Sequence, residues 1–213
     1  MTCAFDLEHY GELLAAAKEG GYRFLRFHRE PGAGDLFLRH DVDLSLEAAV
    51  ELAELEAGAG AHATYFLMRE SVFYNLASPA GERTLARLRE LGHAVGLHGV
   101  HPRGDLDERF DPVLAWHNPD PAYMQDPVDG VVNVMAPPYF APATYRSDSN
   151  QHWRSGCPHE ALAAGEFPWL QLLTHPEIWV YGGGTMRETM EAFLAADRSA
   201  RLEHLSADRI DLS

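Results

Sequence analysis

Short apolar runs and longer amphipathic stretches follow one another in a regular order through the first hundred residues. Each apolar run has the length of a strand, and the stretch after it places its leucines and alanines at helical spacing. In one such stretch Leu46, Ala49, Val50 and Ala53 share a face, and Ser45 is suited to cap the helix. The pattern predicts helices over 6–20, 45–58 and 81–92, and strands over 35–42, 61–68 and 93–99.

This order of strands and helices with short connections indicates a parallel sheet. In a chain of 213 residues it is typical of a doubly wound α/β fold or of a (β/α) barrel. The second half is less regular, with predicted strands over 131–137 and 167–176 and a closing amphipathic helix over 185–198. Prolines are dense between 112 and 158 and predict long ordered loops. Strand patterns continue on both sides of these loops, so we expect residues 1–213 to form a single domain.

The chain is acidic, with a formal net charge of −15 and only 17 lysines and arginines. Nucleic-acid-binding proteins normally have a basic patch, so neither a nucleic acid nor an anionic membrane is an expected partner. We find no apolar run of membrane-spanning length and no pattern of a leader segment, and we therefore expect a cytoplasmic protein. The composition gives no prediction of the oligomeric state.

Two residue types bear on candidate chemistry. The two cysteines, Cys3 and Cys157, are too few for a disulfide framework and do not have CxxC or zinc-finger spacing. The twelve histidines are many for a chain of this length, which makes metal binding worth testing.

Polar side chains interrupt the apolar runs at three predicted strand ends, where parallel α/β folds usually place their chemistry. "FLRHDVDLS" contains Asp41 and Asp43, and two later runs end in the segments 98–101 and 174–176. Residues i and i+2 of a strand face the same side, and two close carboxylates repel each other unless a cation lies beside them. The structural alternatives are that Asp43 caps the following helix and that the histidines of the two later segments lie in surface loops or turns.

An aspartate and two histidines that leave one position open form a common catalytic site for a divalent metal, and zinc suits these ligands. His98 and His101 supply the nitrogen ligands in this arrangement. Asp41 is then free to act as a general base toward a water molecule, and His175 can act as a general acid from the opposite side.

At these motifs the sequence resembles the polysaccharide deacetylase family, the NodB-like carbohydrate esterases. The resemblance covers about residues 36–180, and its motifs taken together are fairly specific. In chain order, the segments similar to family motifs are "RHDVD" (39–43), "ATYFLM" (63–68), "GHAVGLHGVHP" (92–102), "APPYF" (136–140), "YRSDSNQHW" (145–153) and "LLTHP" (172–176).

The resemblance implies a distorted (β/α) barrel that removes acetyl groups from glycans with the help of one divalent metal ion, for which zinc is the best candidate. It makes Asp41 the base and Asp43 a metal ligand. It also makes His98 and His101 metal ligands and His175 the acid, next to an apolar wall for the acetyl methyl group.

The sequence departs from the family at three places. The two histidines of the third motif are usually four apart, whereas His98 and His101 are three apart, and His117 in "LAWHNP" is an equal alternative for the third ligand. The groove motif usually begins with an arginine that pairs with the base, but this chain has Ala136 there. We expect Arg39, two residues before Asp41 on the same strand face, to replace it, with Arg146 as the alternative. The stretch 103–130 is rich in Pro and Asp and is unlike the family, which indicates a distinct substrate groove or a subgroup with another substrate.

Further residues have roles implied by the resemblance. Asp148 would orient His175 through a hydrogen bond, unless it is only a turn residue in "SDSN". A backbone N–H near Tyr139 would stabilise the oxyanion. Tyr139, Trp153 and Trp179 would line a sugar groove, and for each of them the alternative is ordinary packing.

The expected function is therefore that of a metal-dependent deacetylase acting on an N-acetylated sugar or glycan. One alternative is a hydrolase of another C–N bond, in a small amide or ureide. The other is a catalytically silent glycan-binding protein that keeps the fold. The retained aspartates and histidines argue against the silent protein, because a binding module needs neither a base nor an acid.

Overall fold

The computed structural model describes residues 3–100, 106–208 and 210. Its strands are β1 (Arg23–Phe24), β2 (Asp35–Val42), β3 (Ala63–Leu67), β4 (Ala94–Gly99), β5 (Val113–Trp116), β6 (Val132–Asn133), β7 (Tyr145–Ser147) and β8 (Trp169–Thr174). Its α-helices are α1 (Leu7–Glu19), α2 (Leu46–Gly58), α3 (Pro79–Glu90), α4 (His159–Ala163), α5 (Pro176–Val180) and α6 (Met186–Ala207).

The strands form one parallel sheet in the order β6-β5-β4-β3-β2-β8-β7. β1 pairs with Asp35 and Leu36 at the start of β2. β3 pairs with β2 from Leu38 onward. The sheet curls into a half-barrel with accompanying helices, which makes this an α/β fold compatible with a distorted barrel. The expected α/β class and parallel sheet are therefore confirmed.

β2 lies at the centre of the sheet, and all eight of its residues are buried. Because successive side chains of a strand point to opposite faces, Arg39 and Asp41 lie on one face and His40 lies on the other. His40 contacts the Glu56 carboxylate of α2 across the second face. Gly96 of β4 leaves room for the Phe66 ring of β3, since a Cβ at Gly96 would lie 2.5 Å from that ring.

α1, α2 and α3 begin within two residues of their predicted starts, whereas α4 and α5 were not predicted as helices. The Ser45 side chain accepts a hydrogen bond from the backbone N–H of Ala48 and caps α2, so the cap is Ser45 and not Asp43. α6 begins at the predicted residue but continues to Ala207, beyond the predicted end at 198. Among the helices of the described residues, none combines the length and the apolar character needed to cross a membrane.

The second half differs from the prediction in its short strands. The predicted strand over 131–137 is reduced to β6, and β5 and β7 were not predicted as strands. β5 has only four residues and lies among prolines and turns, so its apolar run was too short to establish a period. β5 nevertheless pairs with β4 and brings its own carboxyl end next to His98.

Candidate functional site

Four candidate residues lie at the carboxyl ends of neighbouring parallel strands. Asp43 directly follows β2, His98 is in β4, His117 directly follows β5, and His175 directly follows β8. Parallel strands all end at the same edge of their sheet, so the fold collects these four side chains from distant parts of the chain at one edge.

Asp43, His98 and His117 place three potential metal ligands within one small space. The Oδ1 atom of Asp43 lies 3.1 Å from Nε2 of His98 and 3.2 Å from Nδ1 of His117. The two ring nitrogens are 3.0 Å apart. Although Asp43 Oδ1 is buried, it has no hydrogen-bond partner among the described residues. An unpartnered carboxylate oxygen beside two imidazole nitrogens fits a divalent cation.

Neighbouring backbone groups orient the two histidines. Nδ1 of His98 lies 3.1 Å from the carbonyl oxygen of Ala115 and can donate its hydrogen there, which leaves a lone pair on Nε2. The backbone N–H of His117 donates to the carbonyl of Gly99 at 2.8 Å, which ties the segment after β5 to the end of β4. Burial raises the pKa of Asp43, but contacts with His117 and His98 outweigh burial and hold that pKa well below its usual range.

The structure brings His117 next to His98 and Asp43. His101, the other candidate for the third ligand, lies outside the described residues. His117 is 28% exposed at its side chain and Asp43 is 24% exposed, whereas His98 is 2% exposed. The group is therefore anchored on the buried side by His98 and is open to solvent on the side of the other two residues.

Asp41 lies beside this group and is held by Arg39. Nε of Arg39 donates to Oδ1 of Asp41 at 2.8 Å, and Nη2 donates to Oδ2 at 2.7 Å, so the pair is bidentate and buried. Burial raises the pKa of Asp41, but the charge of Arg39 and its hydrogen bonds outweigh burial and lower it. Arg39 therefore pairs with Asp41, as expected from the sequence. Arg146 instead donates to the carbonyl of Tyr145.

Gln171 of β8 fixes the position of the Arg39 guanidinium. Its Oε1 accepts from Nη1 of Arg39 at 3.3 Å, and its Nε2 donates to the carbonyls of Val134 and Tyr139 at 3.0 and 2.8 Å. Gln171 thereby connects the Arg39–Asp41 pair to the segment around Ala136.

His175 is bound to the buried carboxylate of Asp148. Asp148 accepts from the ring Nδ1 of His175 at 2.6 Å, from the backbone N–H of His175 at 3.0 Å and from the indole N–H of Trp179 at 2.8 Å. Burial opposes protonation of His175, but the charge and hydrogen bond of Asp148 outweigh burial and raise the pKa of His175 to about 10. The imidazole is therefore protonated at neutral pH, as a general acid requires.

Sequence reasoning missed Glu177, which lies in the first turn of α5. Its side chain is buried, and within the described part of the chain its Oε2 atom has no hydrogen-bond partner. Burial raises the pKa of Glu177 to about 8, with contributions from the carboxylates of Asp43 and Asp148. An acidic residue in the first turn of a helix is ordinary, so the sequence contained no signal that this one is buried near the site.

The three aromatic residues expected to line a sugar groove are packed inside the protein. Tyr139 and Trp153 are each 6% exposed and Trp179 is 1% exposed, so none of them presents a face to a sugar ring in this structure. Tyr139 packs against Phe27 and Phe37, and its backbone N–H donates to the carbonyl of Ala136. The N–H of Tyr139 itself is therefore already paired within this turn.

Comparisons of the chain with protein-family models, with curated proteins and with solved structures find no match.

Proposed function

We propose that this protein is a metal-dependent hydrolase that removes an acetyl group from an N-acetylated sugar or glycan, with a fold of the polysaccharide deacetylase (NodB) type. One observation supports the proposal above all. The ligand group Asp43, His98 and His117 lies beside two separately held groups, an ionised Asp41 and a protonated His175. A protein that only binds glycans has no use for a carboxylate and an imidazolium kept in opposite protonation states.

Zinc is the metal that best suits the ligands. A tetrahedral zinc ion with ligands at about 2.0–2.1 Å keeps neighbouring ligand atoms roughly 3.3 Å apart. The three separations in this group are 3.0, 3.1 and 3.2 Å, which is close to that value. Bound there, zinc would supply Lewis acidity to an acyl carbonyl and to a water molecule.

The residues around the ligand group divide the proton transfers between them. Asp41 accepts a proton from the attacking water, while Arg39 keeps Asp41 ionised and fixes its orientation. His175 gives its proton to the amine nitrogen as the C–N bond breaks, and Asp148 holds the imidazole in place. The products are acetic acid, which loses its proton to solvent, and the free amine. Transfer of the proton from Asp41 back to His175 through solvent restores both groups.

An assay of acetate release tests the proposal. The purified protein is loaded with zinc and incubated with chito-oligosaccharides and with soluble N-acetylated sugars. We expect release by the wild type, with kcat/KM lower by roughly 10²–10⁴-fold in Asp41→Asn and in His175→Ala. Asp43→Ala should lose both activity and the zinc held by Asp43, His98 and His117. His204→Ala, a change at an exposed histidine at the end of α6, is the matched control and should leave the rate unchanged.

The proposal fails if the wild type binds no divalent metal, or if Asp41→Asn and His175→Ala release acetate as fast as the wild type. Circular dichroism of each variant separates a lost chemical group from a lost fold.

Hydrolysis of a different C–N bond, in a small amide or ureide, is the second candidate. It is favoured by the burial of Tyr139, Trp153 and Trp179, which leaves these rings unable to stack on a sugar. Ammonia release from small amides and ureides, measured beside acetate release, distinguishes the two substrates. Both reactions should depend equally on Asp41, Asp43 and His175.

A further inference from the structure

A second cluster of potential ligands lies apart from the candidate site. It joins the segment before α1, α1 itself and the loop before α4, through Cys3, His9 and Cys157. The two Sγ atoms and a ring nitrogen of His9 all lie within 4.8 Å of one another. Nε2 of His9 is 3.3 Å from Sγ of Cys157, close to the roughly 3.5 Å that separates nitrogen and sulfur ligands around a tetrahedral zinc ion.

The neighbours of these three residues match those of a metal-binding histidine and thiolate. Nδ1 of His9 lies 2.8 Å from the carboxylate of Glu12, which fixes the ring so that Nε2 faces the sulfur atoms. A carboxylate on the far nitrogen of a ligating histidine is the usual second contact in zinc sites. The indole N–H of Trp153 donates to Sγ of Cys3 at 3.2 Å. Burial and the neighbouring Cys157 raise the pKa of the Cys3 thiol, and this hydrogen bond acts in the opposite direction.

We propose that Cys3, His9 and Cys157 form a second metal site, which takes a zinc-type divalent cation. Two sulfur ligands select soft metals such as zinc and disfavour magnesium and calcium, which require oxygen ligands. Three protein ligands leave the fourth tetrahedral position open.

Such a site would fix the packing that supports His175. Cys3 holds Trp153, whose ring lies 6.2 Å from that of Trp179, and the Trp179 indole donates to Asp148. The cation would link the stretch that holds Cys3 and His9 to Cys157, which lies 148 positions after His9, around these two tryptophans. Its role is therefore to position residues and not to take part in the reaction.

The difference in ligands between the two sites provides a direct test. An organomercurial reagent displaces zinc from thiolates but not from a carboxylate and two imidazoles. Zinc-loaded, reduced protein is treated with this reagent, and a chromogenic chelator measures the metal released. We expect one equivalent of zinc per chain from the wild type, the same amount from Asp43→Ala, and none from the double variant Cys3→Ser/Cys157→Ser.

Asp43→Ala also separates this proposal from the proposed function, because it should lose activity and keep the mercurial-sensitive zinc. Cobalt substitution of the wild type gives a second measurement that needs no variant, since thiolate ligands produce a charge-transfer absorption band. His28→Ala, at an exposed histidine, is the control and should release as much zinc as the wild type. The proposal is overturned if reduced wild-type protein releases no zinc and shows no such band. A Cys3–Cys157 disulfide that persists in place of metal binding would overturn it as well.

Discussion

At the scale of single residues, Asp148 determines the surroundings of His175. One buried carboxylate fixes the ring, the backbone and the charge of His175, and it also binds the Trp179 indole. The two oxygens of the Asp148 carboxylate accept three hydrogen bonds. An asparagine has only one acceptor oxygen in its side chain, so its amide could not replace the carboxylate here. The charge on His175 therefore depends on Asp148.

We expect Asp148→Asn to lower the free energy of unfolding by about 3 kcal/mol at pH 6, since it leaves the buried donors without their charged acceptor. The folded-state pKa of His175, about 10, lies above the usual value of about 6.5. The stability that comes from this shift is complete below pH about 6.5 and is lost as the pH rises through 10. The difference between wild type and variant should therefore shrink from pH 6 to pH 10.

Urea denaturation at a series of pH values measures this difference. Asp197→Asn, which breaks an exposed pair with Arg201, is the control and should change stability by less than about 0.5 kcal/mol. A difference between wild type and Asp148→Asn that stays constant with pH would show that Asp148 does not set the charge of His175.

At the scale of elements, the Glu56 side chain links its own helix α2 to α1, β2, β3 and the residue before β4. These contacts lie on the face of the sheet opposite Asp41. The Glu56 carboxylate of α2 accepts from Tyr10 of α1 at 2.5 Å and from Tyr65 of β3 at 2.7 Å, and it lies 2.8 Å from a ring nitrogen of His40 in β2. His93, just before β4, lies 3.7 Å away. The carboxylate is fully buried, and this network holds two helices to the centre of the sheet.

Glu56→Ala should destabilise the protein by about 3–5 kcal/mol at pH 7, because it leaves several buried polar groups without a partner. Burial raises the pKa of Glu56, but His40 and its hydrogen bond outweigh burial and lower it. A carboxyl with a lowered pKa contributes stability at pH values above its unfolded-state pKa, about 4.3, and that contribution is lost as the pH falls.

Thermal unfolding at pH 7 and at pH 4 measures the effect, and the loss of stability caused by Glu56→Ala should be smaller at pH 4. Glu54→Ala, at an exposed carboxylate of the same helix, is the control, and an equal effect of both substitutions would contradict the prediction.

The elements also show what the sequence could and could not predict. The helices and strands around residues 35–99 were predictable because their apolar periods extend over several turns or strand residues. β5 was not predicted because four residues give no period, and so His117 could not be distinguished from His101. Pairing between Arg39 and Asp41 was predictable because residues two apart on a strand share a face. The Cys3, His9 and Cys157 cluster was not predictable, since it depends on packing between residues 148 positions apart.

At the scale of the whole molecule, the candidate site depends on how the sheet is assembled. Asp43, His98 and His117 lie at the ends of β2, β4 and β5, which the sheet brings to one edge. The two histidines and the carboxylate are brought within 3.2 Å by folding, and an unfolded chain would not keep them together. A cation bound by all three therefore stabilises the folded state, and its binding free energy adds to that of folding.

We therefore expect zinc to raise the midpoint of thermal unfolding. At free zinc about 100 times the dissociation constant, one site contributes about 2.7 kcal/mol. For a domain of this size that is a rise of roughly 5–10 °C. Scanning calorimetry of metal-stripped protein with and without zinc measures the shift in the unfolding midpoint. In Asp43→Asn, the part of this shift that comes from zinc bound by Asp43, His98 and His117 should be absent. Asp107→Asn, which removes a surface carboxylate paired with Arg109, should keep the full shift. Equal shifts in the wild type and Asp43→Asn would mean that zinc stabilises the fold without using Asp43.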